Sequence, residues 1–214
     1  MKIAINQPNY LPWLPYFHLI SSVDKFYFLD NVITANGGSF INRNKLILNN
    51  KNYWITVTVK KDQKRKYFNE TIIEKNFIKS HLEKFYNYSK GEKYFEEVYD
   101  LLDKSFNKNK KNTLSEFNIF LIKSICNYLN IKTELFLATD VISLKDVIKS
   151  NLKGKDLVKT ICKESKCEEL YNFSKGIDLK LKPFDENIFF HNNSIKLYKK
   201  NLSNFLLKKD HVFS

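Results

Sequence analysis

The sequence predicts an α/β fold: a Rossmann-like, mainly parallel sheet with an added β-hairpin and a helical insert. Three observations predict it. Short apolar runs alternate with helical patterns toward both ends of the chain. A polar, proline-bearing segment follows the first apolar run directly, and the middle of the chain carries helical patterns only. With 43% hydrophobic content in 214 residues, there is ample material for a core. The chain reads as one α/β domain, 1–214, with a linker and helical insert at 61–130 inside it.

Lys2-Ile3-Ala4-Ile5 is a short apolar run that reads as a buried strand. Gln7 to Leu14 then carries Pro8 and Pro12, with Pro15 just beyond; three of the four prolines fall here. Each fixes φ, lacks an N–H and turns the preceding residue away from helical geometry, so a stiff extended loop is expected. Pro15 suits the first residue of a helix that carries Tyr16, Phe17 and Ile20 inward. Lys25 to Asp30 reads as a second strand, closed by Asp30 at its carboxyl end. Gly37-Gly38 marks a loop, and Lys45 to Leu48 with Asn52 to Lys60 reads as a hairpin turning at Asn49-Asn50-Lys51. In its second arm Tyr53, Ile55, Val57 and Val59 alternate with Trp54, Thr56 and Thr58, which predicts one buried face.

A basic linker, Lys60 to Lys66, leads to helical patterns over Lys75–Tyr88, Glu92–Phe106 and Thr113 to about Leu129. Thr113-Leu114-Ser115-Glu116 is a capping-box signature. Glu134 to Ala138 resumes the sheet, Leu144–Ser150 and Lys155–Glu164 read as helices, and Glu169–Asn172 and Ile195–Tyr198 read as strands.

Lys+Arg 36 against Asp+Glu 23 gives a net charge of +13. Nearly all of that excess is lysine, since Arg43 and Arg65 are the only arginines. Abundant Asn, Ile and Phe point to an AT-rich coding bias, so the charge is read as a solvated surface and nucleic acid remains a minor partner reading. The three cysteines, Cys126, Cys162 and Cys167, lack metal-ligand spacing, and the first two sit in Ile-Cys pairs inside helical patterns as small buried hydrophobes. No apolar run has membrane-spanning length and no leader is evident, so a cytoplasmic protein is expected.

Strand, rigid polar loop and helix start together form the place where open α/β sheets bind ligands. The same residues could equally be a proline-stiffened crossover. Asn42-Arg43-Asn44 is the second candidate. A guanidinium fork takes carboxylate or phosphate bidentately and flanking amides orient hydroxyls, whereas the plain alternative is a surface arginine between turn-capping asparagines. Lys153-Gly154-Lys155-Asp156 opens a helix and could meet an anion, yet lacks the glycine and Ser/Thr of a P-loop.

Together these blocks resemble the WbqC-like family, bacterial proteins found among genes for O-antigen and other surface polysaccharides. The matches are Gln7, Pro8, Asn9, Tyr10, Pro12, Trp13, Tyr16 and Phe17; Asp30-Asn31-Val32 with Asn42 to Ile47; Lys153-Gly154 with Ile161-Cys162; and Tyr171, Asn172 and Gly176. Phe189-Phe190 and Ile195-Lys196-Leu197 complete the resemblance. Asn6 stands where many members have His, Pro15 where they have Gly, and Asn36-Gly37-Gly38 where many have a basic group. Past the last strand Leu202 to Ser214 replaces a family segment, from which a more open pocket is expected.

The resemblance implies a group transferase of surface-glycan biosynthesis acting on a nucleotide-linked or amino sugar, with aminoacyl or acyl transfer as the candidate chemistry. Gln7, Asn9, Tyr10, Asn42, Arg43, Asn44, Lys153, Tyr171 and Asn172 would bind this small-molecule substrate. Asp30 would take ribose or act as a base, and His18 could point into the pocket. No metal site and no particular cofactor is implied. A nucleic-acid-binding module and a scaffold for a polysaccharide enzyme complex are the alternatives.

Overall fold

A computed structural model describes residues 1–33, 40–48, 51–60, 66–173 and 189–193. The described residues form two compact units interleaved along the chain: those within 1–7, 15–32 and 131–193 make the first, and those within 8–14 and 33–130 the second.

The first unit is built on a parallel sheet of β1 (Lys2–Asn6), β2 (Lys25–Phe28), β5 (Glu134–Leu137), β6 (Glu169–Phe173) and β7 (Phe189–Asn193). Its order is β5-β2-β1-β6-β7, and every pairing is parallel. Counted in order of appearance, the sheet reads 3-2-1-4-5, the Rossmann arrangement, with the order reversing between β1 and β6. Side chains alternate across it. Ile3, Ile5, Tyr27, Leu29 and Leu170 pack with Val147 of helix α5 (Leu144–Lys149) and Leu157, Ile161 and Cys162 of helix α6 (Gly154–Glu164). Phe26 instead meets Tyr16 of helix α1 (Leu14–Ser21), ring centroids 5.5 Å apart. Both faces are therefore covered, which explains why these strands read as continuous apolar runs.

The second unit holds the antiparallel hairpin of β3 (Arg43–Leu48) and β4 (Lys51–Thr56), with Arg43 opposite Thr56. Helices α2 (Phe77–Ser89), α3 (Phe95–Lys108) and α4 (Leu114–Tyr128) complete it. Tyr10 sits among Phe77, Phe106 and Phe117, each ring 6.5 Å away. Half of the expected capping box forms: Thr113 Oγ1 accepts the Glu116 N–H at 3.4 Å, while Glu116 Oε2 accepts from the Thr113 hydroxyl at 2.8 Å and not from its backbone N–H.

Some expectations shift. Helix α1 begins at Leu14 rather than Pro15. Ile55 and Val57 are buried as the alternation requires, but Tyr53 is 46% exposed. Cover is supplied nearer the end that continues to the Val59–Ile73 bridge, and Tyr53 lies toward the hairpin tip. The last described strand is Phe189–Asn193. The strand expected at Ile195–Tyr198, the Asn49-Asn50 turn, Gly37-Gly38, Gly176 and most of the basic linker, Arg65 included, lie outside the described residues.

Candidate functional site

Parallel pairing of β1 with β2 places their carboxyl ends side by side. The register runs Asn6 to Phe28, and the Leu29 N–H then donates to the Asn6 carbonyl at 2.8 Å. Gln7 leaves β1 at this edge, and Asp30 leaves β2 there. On the other side of β1, Ala4 pairs with Tyr171, so the end of β6 with Asn172 reaches the same edge. Gln7, Asp30 and Asn172 thus share the carboxyl edge of one sheet, around the point where its strand order reverses.

Gln7 is held through its backbone at both ends. Its N–H donates to Asn6 Oδ1 at 2.8 Å, and its carbonyl accepts from the Tyr16 hydroxyl at 2.9 Å. Its half-buried carboxamide makes no hydrogen bond to another described residue. Asp30 is 4% exposed. One carboxylate oxygen accepts the Thr139 N–H at 3.1 Å and the other its hydroxyl at 2.8 Å. Burial pushes the Asp30 pKa up, against the pull of those two hydrogen bonds. Thr139 belongs to the short 3-10 turn Ala138–Asp140 that follows β5, so Asp30 ties the β2 end to the β5 exit. Asn31, fully buried, donates to the Ile142 carbonyl at 3.4 Å.

Three other expected residues, His18, Tyr171 and Lys153, belong to this unit. His18 is half-buried on α1 and its pKa is lowered by burial. The Tyr171 hydroxyl donates to Glu169 Oε2 at 3.3 Å, and the Lys2 ammonium stands 5.9 Å from its ring centroid. Lys153 is exposed at the N-cap of α6, next to Gly154 at φ +46. Because α6 feeds directly into β6, its N-terminus faces the carboxyl edge of the sheet.

In the second unit, Asn9 is half-buried and Tyr10 is wholly buried, its hydroxyl 2.8 Å from Nδ1 of His81. Burial raises the Tyr10 pKa and brings that of His81 down to about 4. The proline loop is clamped through its carbonyls, since prolines leave few N–H groups to use. Asn44 donates to Tyr10 O and Leu11 O, and Asn118 donates to Pro8 O at 2.8 Å and Ile41 O at 2.7 Å. Leu11 itself takes φ +43. Asn42 joins the hairpin base: its carbonyl accepts the Val57 N–H at 2.7 Å. Arg43 lays its guanidinium over Trp54, 4.3 Å from the ring centroid, and Lys45 stands 4.7 Å from the same ring. The Arg43 Nε is buried with no hydrogen-bond partner among the described residues.

The structure therefore groups Gln7, Asp30 and Asn172 in the first unit, and Tyr10, Asn42, Arg43 and Asn44 in the second. Sequence reasoning missed Thr139, His81, Trp54 and Asn118. Asn118 alone carried a signal, being a carboxamide in the apolar run Phe117-Asn118-Ile119-Phe120. Among the described residues no cluster of His, Cys, Asp and Glu could hold a metal, and no helix is long and apolar enough to cross a membrane.

Residues 7–205 match the profile of the WbqC-like protein family. The uncharacterized protein Rv1507c of Mycobacterium tuberculosis (strain ATCC 25618 / H37Rv) is 35% identical over 137 residues, which cover 63% of this chain and 58% of that relative. The match thus spans less than two thirds of the relative's length. No solved structure matches the chain.

Proposed function

Since this chain belongs to the WbqC-like protein family, we propose that it is a group transferase of surface-glycan biosynthesis acting on a nucleotide-linked or amino sugar. The observation that carries this reading is the grouping of Gln7, Asp30 and Asn172 at the carboxyl edge of a 3-2-1-4-5 sheet, beside the reversal of strand order. Ligands of open α/β sheets sit in that crevice, and an acidic residue at the end of the second strand commonly takes ribose hydroxyls. A carboxamide offers both donors and acceptors, which suits sugar hydroxyls. In this proposal Gln7 and Asn172 orient the ligand. Asp30, its pKa lifted by burial, accepts from ribose or takes the proton of the attacking hydroxyl or amine. Tyr10, Asn44 and Asn118 hold the proline loop, and Lys153 stands where it can meet an anion. Arg43, with its face on Trp54, offers its remaining N–H edge to a phosphate or carboxylate.

A thermal-shift screen with nucleoside diphosphates and nucleotide-sugars tests the proposal. A ligand at about 100 times its Kd stabilises by roughly 2.7 kcal/mol, enough for a shift of several degrees. A flat response across the panel at millimolar concentration would count against it.

A further inference from the structure

Helix α6 ends in a turn that brings two thiols together. Lys166 adopts φ +53, the Cys167 N–H donates to the Cys162 carbonyl at 2.9 Å, and the Lys166 N–H donates to the Lys163 carbonyl at 3.1 Å. This is a Schellman closure, in which the residues at each end of the longer bond bring their side chains into contact. Here both are cysteines, so the closure sets the side chains of Cys162 and Cys167 side by side. A backbone hydrogen bond joining the two residues also holds their Cα atoms close, as a disulfide requires. Cys162 is completely buried against the sheet, whereas Cys167 retains 8% exposure at the margin of the same cluster.

We propose that Cys162 and Cys167 form a peroxide-oxidisable dithiol, with Cys167 the sulfur attacked first and Cys162 the one that resolves it. Its environment fits that order. The neighbouring Cys162 thiol holds the Cys167 pKa below the ordinary value, while the neighbouring Cys167 and burial raise that of Cys162. Burial and the nearby carboxylate of Glu168 oppose the shift at Cys167, and the Met1 ammonium assists it. The Cys167 thiolate attacks one oxygen of a hydroperoxide, the O–O bond breaks, and Cys167 becomes a sulfenic acid with loss of hydroxide or alkoxide. The Cys162 sulfur then attacks the sulfenic sulfur, its proton leaves with the hydroxyl as water, and the disulfide forms. In net terms two thiols are oxidised and one peroxide is reduced. The bond would tie the end of α6 to the entry of β6, and a thiol reductant reverses it.

The full-length chain, treated natively with hydrogen peroxide, denatured, alkylated and mapped by mass spectrometry, tests this directly. Cys126 is the internal control, since it is buried in the second unit with its thiol pushed up to about 12. The expected result is a Cys162–Cys167 linked peptide, undone by dithiothreitol, with Cys167 losing alkylation on the order of tenfold faster than Cys126. In Cys162→Ser, Cys167 should be trapped as a sulfenic acid by dimedone. Equal loss of alkylation at all three cysteines, no loss at any, or Cys167 passing to sulfinic acid while Cys162 stays free would each overturn the proposal. The wild-type map decides it even where the serine variant does not fold.

Discussion

Asn118 spends both hydrogens of its carboxamide on two backbone carbonyls, Pro8 O and Ile41 O, from a position with no exposure at all. Replacing it with leucine keeps the volume and leaves those carbonyls unpaired, so a loss of about 1–3 kcal/mol in unfolding free energy is expected, measured by chemical denaturation. Gln7 is the opposite case. Its backbone is fixed by Asn6 and Tyr16 while its side chain makes no hydrogen bond to another described residue. Gln7→Ala should therefore leave stability within about 0.5 kcal/mol and weaken ligand binding roughly tenfold. Arg43 uses the plane of its guanidinium on Trp54, which an ammonium cannot match. Arg43→Lys should weaken anion binding by about 1–3 kcal/mol with the fold intact; an isotherm identical to the parent's would assign Arg43 to hairpin packing alone.

At the scale of elements, the helices of the second unit close around a polar pair. His81 on α2 is buried, its pKa is lowered to about 4 from 6.5 by burial and by Lys84, and its Nδ1 shares a hydrogen bond with Tyr10. The unfolded chain therefore binds a proton at a pH where the folded chain does not. The contribution of neutral His81 is intact above pH 6.5 and is lost as pH falls from 6.5 toward 4. That amounts to on the order of 3 kcal/mol. His81→Gln keeps an acceptor for Tyr10 and removes the titration, so its unfolding free energy should vary less across that window than the parent's. The elements themselves were largely legible. The α4 start was readable because its N-cap is local, Thr113 Oγ1 accepting the N–H of Glu116 one turn on. Tyr53 was misread because alternation names a face but not how far along a strand the cover extends.

Across the whole molecule, the sheet order rests on pairings between residues as distant as Lys2 and Glu169. Periodicity identifies such strands but cannot rank them as neighbours, so the α/β class was readable and the 3-2-1-4-5 order was not. The candidate site shows the same division. Asp30 stood out as a polar residue closing an apolar run and Gln7 through the proline loop and the family resemblance, whereas Thr139 had no local mark and joins Asp30 only through the β2–β5 pairing. The Asn-Arg-Asn block was read only as candidate anion chemistry, and the backbone work its asparagines do had no local mark. Asn44 bonds carbonyls more than thirty positions away.

We propose that a nucleotide-linked or amino sugar binds at the carboxyl edge of the first unit, beside Gln7 and Asp30. Isothermal titration of the best-stabilising nucleotide-sugar into the parent, Gln7→Ala and Asp30→Asn tests it most directly. Saturable one-site binding to the parent is expected, weakened about tenfold or more in each variant while both melt cooperatively. Binding that is unchanged in both variants would contradict it.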